Sequence, residues 1–237
     1  MSTHLQFAVL HATRGRPDKA IAAMRLWYDR GRSDGAEYIV ATTYGDPTVP
    51  AMWTRMCQDP EWWFRSKLVE CDSGGSARAW NEAYLESKAP LLFQMSDDVE
   101  PPENYFDKVL ERLPDDWRDR PIVVAVSDGY RMDRLLTSFI CTRKYAELAG
   151  HFVPPMYPSV WSDDELTARA YQRQRDGLAT LIEARDLVFR HRHHAADPTV
   201  PEDDVYRWQN RPEAYALGEK LFRERNPAAL LEHALWK

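Results

Sequence analysis

The chain has 237 residues, of which 44% are hydrophobic and 29% are charged, and this composition is typical of a globular protein with one large core. Its formal net charge of −6 disfavours a protein that binds nucleic acid by neutralising many phosphates, because such proteins are usually basic. The three cysteines lack metal-binding spacing and no apolar run is long enough to cross a bilayer, so we expect reduced thiols, a cytoplasmic location and no membrane contact.

Strands and helices alternate along the first half of the chain. Short apolar segments rich in strand-forming residues are separated by segments whose apolar residues recur at helical spacing. The predicted strands cover 5–13, 36–47, the end of 61–71, 90–96 and 121–129, and the predicted helices cover 18–31, 76–89 and 102–113. This order predicts βαβ units, and therefore an α/β fold with a mostly parallel Rossmann-type sheet and helices on both faces.

Two local signals mark helix starts in this half. Ser76 is a predicted N-cap, because its hydroxyl can accept a hydrogen bond from a free backbone N–H of the first turn. Pro102 opens the helix predicted over 102–113, where its fixed φ suits the first turn. Each signal agrees with the helical spacing that follows it.

The second half has less regular signals and no glycine/serine linker that would mark a domain boundary. The predicted segments are a strand and then a helix within 134–152, a proline-rich loop over 153–161, a helix over 162–174 and a strand at the end of 181–194, followed by a mostly helical remainder. Gly150 is the predicted end of the first of these helices, and Ser162 or Asp163 is the predicted N-cap of the second.

Polar residues follow several of the predicted strands. Ligands of parallel α/β sheets bind at the carboxyl ends of the strands, so these residues define the expected binding edge. They are Thr13, Arg14 and Arg16 after the first strand, Tyr44 and Asp46 after the second, Asp97 and Asp98 after the fourth, and Asp128 after the fifth. The arginines can bind phosphate through bidentate hydrogen bonds. The chain has neither GxGxxG nor GxxxxGK[ST], so no Rossmann dinucleotide site or P-loop is predicted.

Asp97 and Asp98 follow a buried apolar strand directly, in "LLFQMSDDVEPP". Adjacent residues of an extended chain point to different sides, so one carboxylate can bind a divalent cation while the other holds a hydroxyl or a water. Hard oxygen ligands favour Mg²⁺ or Mn²⁺, usually completed by waters and substrate phosphates. A turn or helix-capping aspartate pair is the alternative.

A second acidic group, "WSDDEL", stands at the predicted start of the helix over 162–174. Asp163 or Asp164 could take a proton from an incoming hydroxyl if it faced the edge of the sheet. The alternative is a structural role, because acidic residues stabilise the positive end of a helix dipole.

Histidines crowd the last predicted strand, in "FRHRHH". His191 and His193 alternate along it and so share one face, and neutral imidazole is a good ligand for Mn²⁺. A solvated histidine cluster is the alternative. No CxxC or HExxH pattern is present, which disfavours a structural zinc site or a zinc protease.

The order of these motifs resembles that of the GT-A glycosyltransferases, especially the family-2-like inverting enzymes that use nucleotide-diphosphate sugars, including small phage-type ones. The matching segments are "TRGRP", "TTYGDP", "SARAWNEAYLES", "QMSDDVEPP" in the place of the DXD motif, "WSDDELTARA" in the place of E-D-x-x-L-x-x-R, and "FRHRHH" in the place of the late metal-binding histidine. The resemblance covers roughly residues 5–195. It departs from the family at Ser96, where an acid is expected.

The resemblance implies a role for each matching position. Thr13, Arg16 and Asp46 would contact the nucleoside, with Arg14 beside them, and Asp97 would meet the nucleotide ribose or the sugar. Asp98 and His193, or His191 on the same face, would hold Mn²⁺ or Mg²⁺ at the diphosphate. Asp163 would be the general base, since Leu166 and Arg169 fall at the family's offsets, and Asp164 is the alternative by a shift of one residue.

The resemblance also implies the organisation and the partners of the chain. Residues 1–195 would form a GT-A-like catalytic domain, and 196–237 a helical extension packed on it. The donor would be a nucleotide-diphosphate sugar, with UDP-sugars favoured. The acceptor hydroxyl could belong to a glycan, a protein or a hydroxylated DNA base, and the arginine-dense stretch 169–192 keeps the DNA acceptor open despite the negative net charge.

Two other functions compete with this interpretation. A sugar-phosphate nucleotidyltransferase would need a glycine-rich loop with an early lysine after the first strand, which "TRGRP" does not provide. A non-catalytic sugar-nucleotide-binding protein is favoured by Ser96, because a serine there would weaken the hold on the cation.

Overall fold

The computed structural model describes residues 5–31, 35–58, 66–72, 75–131, 133–158, 160–195 and 197–226. Its strands are β1 (Phe7–Ala12), β2 (Ala36–Thr43), β3 (Ser66–Cys71), β4 (Leu91–Met95), β5 (Val99–Glu100), β6 (Ile122–Ser127), β7 (Phe139–Thr142), β8 (Thr180–Val188) and β9 (Arg190–His191). Its helices are α1 (Pro17–Gly31), α2 (Thr48–Gln58), α3 (Ser76–Glu86), α4 (Tyr105–Leu110), α5 (Arg143–Ala149), α6 (Ser162–Arg175), α7 (Asp204–Gln209) and α8 (Pro212–Arg225), with a 3₁₀ turn at Trp117–Asp119.

The centre of the molecule is a seven-stranded sheet in the order β3-β2-β1-β4-β7-β6-β8. Neighbouring strands are parallel from β3 to β4 and again between β6 and β8, whereas β7 runs antiparallel to both β4 and β6. A second, two-stranded sheet pairs β5 with β9. The mostly parallel α/β sheet predicted from the sequence is confirmed.

Both faces of the sheet are covered by helices and buried side chains. On one face α1 and α4 enclose an aromatic cluster in which Phe7 stacks on Phe106 with ring centroids 4.4 Å apart, and the Trp27 indole donates a hydrogen bond of 2.7 Å to the Val99 carbonyl. On the other face α3, α5 and α6 pack against the sheet around Trp80. These two cores fix the carboxyl ends of β1 and β4 side by side.

The structure corrects three details of the sequence prediction. The helix α2 was not predicted, and the helix expected over 102–113 is shorter because Asn104 adopts a left-handed φ of 53° immediately before Tyr105. Ser76 is not the N-cap of α3, because Gly75 occupies that position with a φ of 85°. A Cβ at Gly75 would lie 1.7 Å from the carbonyl oxygen of Pro158, so both the dihedral and the space require glycine.

The C-terminal helix α8 packs on α6. Phe222 is fully buried against Tyr157 and Ala168. Arg225 donates hydrogen bonds of 3.0 and 3.1 Å to the two carboxylate oxygens of Glu165, and the Tyr157 hydroxyl donates a third of 2.7 Å. A buried aromatic ring and a paired carboxylate therefore hold α8 against α6 and Tyr157. Within the described residues, no helix combines the length and the apolar character needed to span a bilayer.

We expect Phe222→Ala to lower the free energy of unfolding by about 3–5 kcal/mol, because it removes a fully buried ring and leaves a cavity. Urea unfolding followed by circular dichroism measures the change. The matched control is Leu217→Ala on the same helix, where the side chain is 46% exposed and the expected change is within about 0.5 kcal/mol. Equal changes for the two variants would contradict the packing of α8.

Candidate functional site

A cleft of about 340 Å³ opens at the carboxyl edge of the parallel strands. It is lined by residues from the ends of β1 and β4, the loop between β6 and β7, the start of α6, the strand β9 and its exit, and the helices α7 and α8. The sequence-predicted residues at its wall are Arg16, Asp98, Asp163, Asp164, His191 and His193. Segments that are far apart in the chain thus meet in one cleft.

Asp97 lies beneath the cleft rather than in its wall. Its side chain is fully buried, with Oδ1 2.7 Å from Nε2 of His11 and Oδ2 accepting a 3.0 Å hydrogen bond from the hydroxyl of Thr13. The Nε atom of Arg16 is 2.9 Å from Oδ2, an ion pair rather than a well-aligned hydrogen bond. Both carboxylate oxygens are therefore engaged by the protein. Asp97 therefore holds Arg16 in place, and its contact with a ribose or a sugar stays a prediction.

Asp98 points the other way, toward β9. The hydroxyl of Ser96 donates a 2.7 Å hydrogen bond to Oδ1, and Nε2 of His191 lies 3.5 Å from Oδ2. Burial alone would raise the pKa of the Asp98 carboxyl, but His191 and the Ser96 hydroxyl hold this pKa well below its usual range. Ser96, which stands where the family has an acid, thus orients the carboxylate of Asp98.

The pairing of β5 with β9 brings the histidines to the cleft. Burial would lower the pKa of His191, but the Asp98 carboxylate raises it above its ordinary value. The ring of His193 lies 4.8 Å from that of His191 at a tilt of 53°, and burial together with this neighbour lowers the His193 pKa. His194 turns away, with Nδ1 2.7 Å from the carbonyl of Val200.

Asp98 and His191 have the chemistry of a divalent cation site. The carboxylate oxygen and the imidazole nitrogen face each other across 3.5 Å, and both atom types bind Mn²⁺. Among the residues that the structure describes, no group of three or more histidine, cysteine, aspartate and glutamate side chains is arranged to hold a metal. Such a pair suits a cation that keeps most of its coordination for water and substrate phosphate, as Mg²⁺ and Mn²⁺ commonly do.

The start of α6 places two further carboxylates in the wall. The N-cap of this helix is Trp161 with a φ of 75°, not Ser162 or Asp163, so both aspartates lie in the first helical turn. Burial and the neighbouring Asp164 carboxylate raise the pKa of Asp163 to about 7. A carboxyl with this pKa can exchange a proton near neutral pH.

The loop after β1 forms the opposite end of the site. Thr13, Arg14 and Arg16 line a smaller cavity of about 40 Å³ beside the cleft. Asp46 does not line this cavity. Its carboxylate accepts hydrogen bonds from the backbone N–H groups of Gly15, at 3.0 and 2.8 Å, and of Thr48, at 2.8 Å. This carboxylate fixes the loop that carries the arginines, and its contact with a nucleoside stays a prediction.

Several cleft residues were not predicted from the sequence. They are Trp80, Gln94, Tyr130, Arg131, Tyr206, Gln209, Asn210 and Tyr215. Tyr130 and Arg131 are positioned by Asp128, whose carboxylate accepts hydrogen bonds from their backbone N–H groups at 3.1 and 2.9 Å. Asp128 at the end of β6 was the available signal for this loop, whereas no local pattern marked the residues of α7 and α8.

The arginine-dense stretch 169–192 is largely engaged within the protein. Arg173 donates to the Tyr145 hydroxyl at 2.9 Å, and Arg185 donates to three backbone carbonyls at 2.8–3.1 Å. Arg192 pairs with Glu100 at 3.1 Å, and Arg169 donates to the Arg225 carbonyl at 3.2 Å. These side chains stabilise the fold, so the stretch offers little support for a nucleic-acid surface.

No protein-family model matches the chain, and no curated protein matches it in sequence. Solved structures do match in fold. The mannosyltransferase PcManGT from Pyrobaculum calidifontis, in complex with GDP-Man and Mn²⁺, is 16% identical with a TM-score of 0.63, over 87% of this chain and 60% of that one. Residues 1–349 of S. aureus TarS, in complex with UDP-GlcNAc, are 12% identical with a TM-score of 0.60, over 78% of this chain and 57% of that one.

The comparison identifies the fold. The chain has the GT-A-like architecture expected from the order of its motifs, and it spans about 60% or less of the length of the solved proteins that it matches. At 12–16% identity the likeness concerns the arrangement of the backbone. The chemistry of this chain depends on its own side chains.

We expect Asp97→Asn to lower the free energy of unfolding by about 3–5 kcal/mol, because it leaves the buried side of Arg16 without its charged partner. Denaturant unfolding measures this change. The control is Asp186→Asn, which breaks an exposed ion pair with Arg112 and is expected to cost less than about 1 kcal/mol. A change at Asp97 no larger than at Asp186 would contradict its role as the buried anchor of the loop after β1.

Proposed function

We propose that this chain is a metal-dependent, inverting glycosyltransferase that moves a sugar from a nucleotide-diphosphate donor to an acceptor hydroxyl. The observation that carries the proposal is the meeting of Arg16, Asp98, His191 and Asp163 in one cleft at the carboxyl edge of the sheet. An arginine and a cation-binding pair at one end suit an anionic leaving group, and a carboxylate of raised pKa at the other suits a base. The matching folds belong to proteins that bind GDP-Man or UDP-GlcNAc.

The donor end of the proposed site stabilises the leaving group. As the bond between the anomeric carbon and the diphosphate oxygen breaks, negative charge grows on the diphosphate. Arg16 provides one positive charge there, and its burial beside Asp97 keeps it oriented. Asp98 and His191, or His193 next to it, would hold Mn²⁺ or Mg²⁺, which when bound neutralises the diphosphate charge. UDP-sugars are the favoured donors.

The acceptor end supplies the base. Asp163 takes the proton of the acceptor hydroxyl while its oxygen attacks the anomeric carbon from the face opposite the diphosphate, so the configuration at that carbon inverts. Its pKa of about 7 makes it a stronger base than an ordinary aspartate. Asp164, in the same wall, is the alternative base.

The acceptor could be a glycan, a protein or a hydroxylated DNA base, and the side chains near Asp163 favour a glycan. Tyr130 and Tyr215 line the cleft together with the amide of Asn210, and aromatic faces with amide groups suit the apolar faces and hydroxyls of a sugar ring. Arg131, the cation on this side, is paired with Asp133.

The direct test is turnover of a panel of sugar nucleotides with Mn²⁺, measured as nucleoside diphosphate release with and without neutral oligosaccharide acceptors. The proposal expects release that stops on chelation with EDTA, and a product of inverted anomeric configuration by proton NMR. Nucleotide binding without any turnover would favour a non-catalytic sugar-nucleotide-binding protein. Transfer to hydroxymethylated DNA but not to oligosaccharides would move the acceptor to nucleic acid.

We expect Asp163→Asn to lower kcat by about 10²–10⁴-fold without changing the Kd of the nucleoside diphosphate, because it removes the base and leaves the donor end intact. Steady-state kinetics and calorimetric titration measure the two quantities. Asp164→Asn is the matched variant on the same helical turn. A larger loss of kcat for Asp164→Asn would transfer the role of base to that residue.

The raised pKa of Asp163 also predicts a pH profile. A base acts in its deprotonated form, so kcat/KM should be low below the pKa of about 7 and should rise to a plateau above it. Measurements between pH 5.5 and 8.5 cover the change. A profile that is flat over this range, or that keeps its rise in Asp163→Asn, would exclude Asp163 as the titrating base.

A further inference from the structure

The short helix α7 lies over the loop that follows β1. The cavity of about 40 Å³ beside the cleft lies between Thr13 and Thr43 on the sheet side and Val205, Trp208 and Gln209 on the α7 side. It shares Arg16 and other wall residues with the cleft. Such a gap has room for a few waters, far below the roughly 300 Å³ of the smallest usual ligand pockets. A nucleoside can enter this space only if α7 moves outward.

Polar contacts, rather than a buried apolar face, hold α7 in place. None of its residues from Asp204 to Gln209 is buried. The Asp203 carboxylate, which caps the helix, lies 2.6 Å from Nζ of Lys19 and 3.6 Å from Arg16. The ring of Tyr206 lies 4.8 Å from that of His193. Segments with few buried apolar contacts open at low free-energy cost, so an outward shift of α7 is feasible.

The Asp203 carboxylate faces the side of Arg16 that Asp97 does not hold. It approaches the same guanidinium, Arg16, whose other side is held by the buried Asp97. The Asp203 carboxyl is partly exposed, so it can leave, whereas Asp97 cannot. A diphosphate carries more negative charge than one carboxylate and would compete for Arg16 effectively.

Trp208 presents an aromatic surface to the same space. Its side chain is 40% exposed, and the Arg14 guanidinium lies 5.1 Å from its ring centroid. A guanidinium is planar and stacks on aromatic faces as a nucleobase does. A base could therefore replace Arg14 against the indole and leave that arginine available to the phosphates.

We propose that α7 is the outer wall of the nucleoside site, with Trp208 as the residue on which the donor base stacks and Asp203 as the anion that the diphosphate displaces from Arg16. This inference rests on the proposed function, because it takes a nucleoside diphosphate as the ligand. It assigns part of donor recognition to the segment beyond β9, outside the strands and loops that carry the sequence motifs.

The first test measures the Kd of UDP, GDP, CDP, TDP and ADP with Mn²⁺ by calorimetry. Trp208→Ala should raise the Kd of the tightest-binding nucleotide by about tenfold to a hundredfold, because stacking of a base on an aromatic side chain contributes this much affinity. Trp208→Phe should retain most of the affinity. Trp53→Ala, at an exposed tryptophan on α2, is the control and should leave the Kd unchanged. An unchanged Kd in Trp208→Ala would overturn the role of the indole.

The second test changes charge without changing the helix. Asp203→Asn keeps a good N-cap residue but removes the anion that competes for Arg16, so nucleotide affinity should rise severalfold. Asp204→Asn, at a side chain that is 96% exposed on the same turn, is the matched control and should have no effect. Weaker binding in Asp203→Asn would overturn the displacement.

The binding measurements distinguish a failure of the proposed function from a failure of the wall formed by α7. If the wild-type protein binds none of the five nucleotides, the proposed function fails together with this inference. If the wild type binds one of them and the variants behave like their controls, the proposed function stands and the wall formed by α7 is excluded. Should Trp208→Ala fail to fold, the nucleotide Kd of Asp203→Asn still tests the wall formed by α7.

Discussion

The contacts of the buried Asp97 carboxylate fix the positions of the neighbouring side chains at the edge of the sheet. The carboxylate joins the end of β4 to the end of β1 through His11, Thr13 and Arg16. A buried charge is tolerated only when its oxygens are engaged, and here both are. The geometry that results fixes one arginine at the edge of the sheet and sends the next residue, Asp98, toward the cleft. Two adjacent aspartates therefore have different environments: Asp97 is buried among internal partners, and Asp98 lines the cleft.

The two ends of the cleft hold ionisable groups whose pKa values are shifted in opposite directions. At one end Arg16 is held cationic, and the Asp98 carboxyl pairs with His191 and keeps a low pKa. At the other end burial and a like-charged neighbour raise the pKa of Asp163. Carboxylates of contrasting pKa in one site are a common basis for dividing electrostatic and proton-transfer roles. The environment, rather than the residue type, makes this distinction.

The segment beyond β9 contributes to the site as well as to the fold. Helix α8 is anchored by a buried ring and by the pair of Glu165 with Arg225, whereas α7 is held by exposed and half-exposed polar contacts. The stable helix thus carries Tyr215 in the cleft, and the loosely held helix lies over the smaller cavity beside it. A firm support next to a movable wall suits a site that has to admit a bulky ligand and then enclose it.

Apolar spacing along the chain predicts the alternation of strands and helices, because such spacing is a local property. It also predicts polar residues at the carboxyl edge, because parallel strands end there together. The sequence also brought Asp98, Asp163 and His191 forward as candidates. Three features are visible only in the folded chain: Asp97 and Asp46 accept internal hydrogen bonds, β7 runs antiparallel, and α7 and α8 reach the cleft. These features depend on residues that are far apart in the sequence, such as His11 with Asp97 and Gly15 with Asp46. Local spacing contains no information about such distant partners.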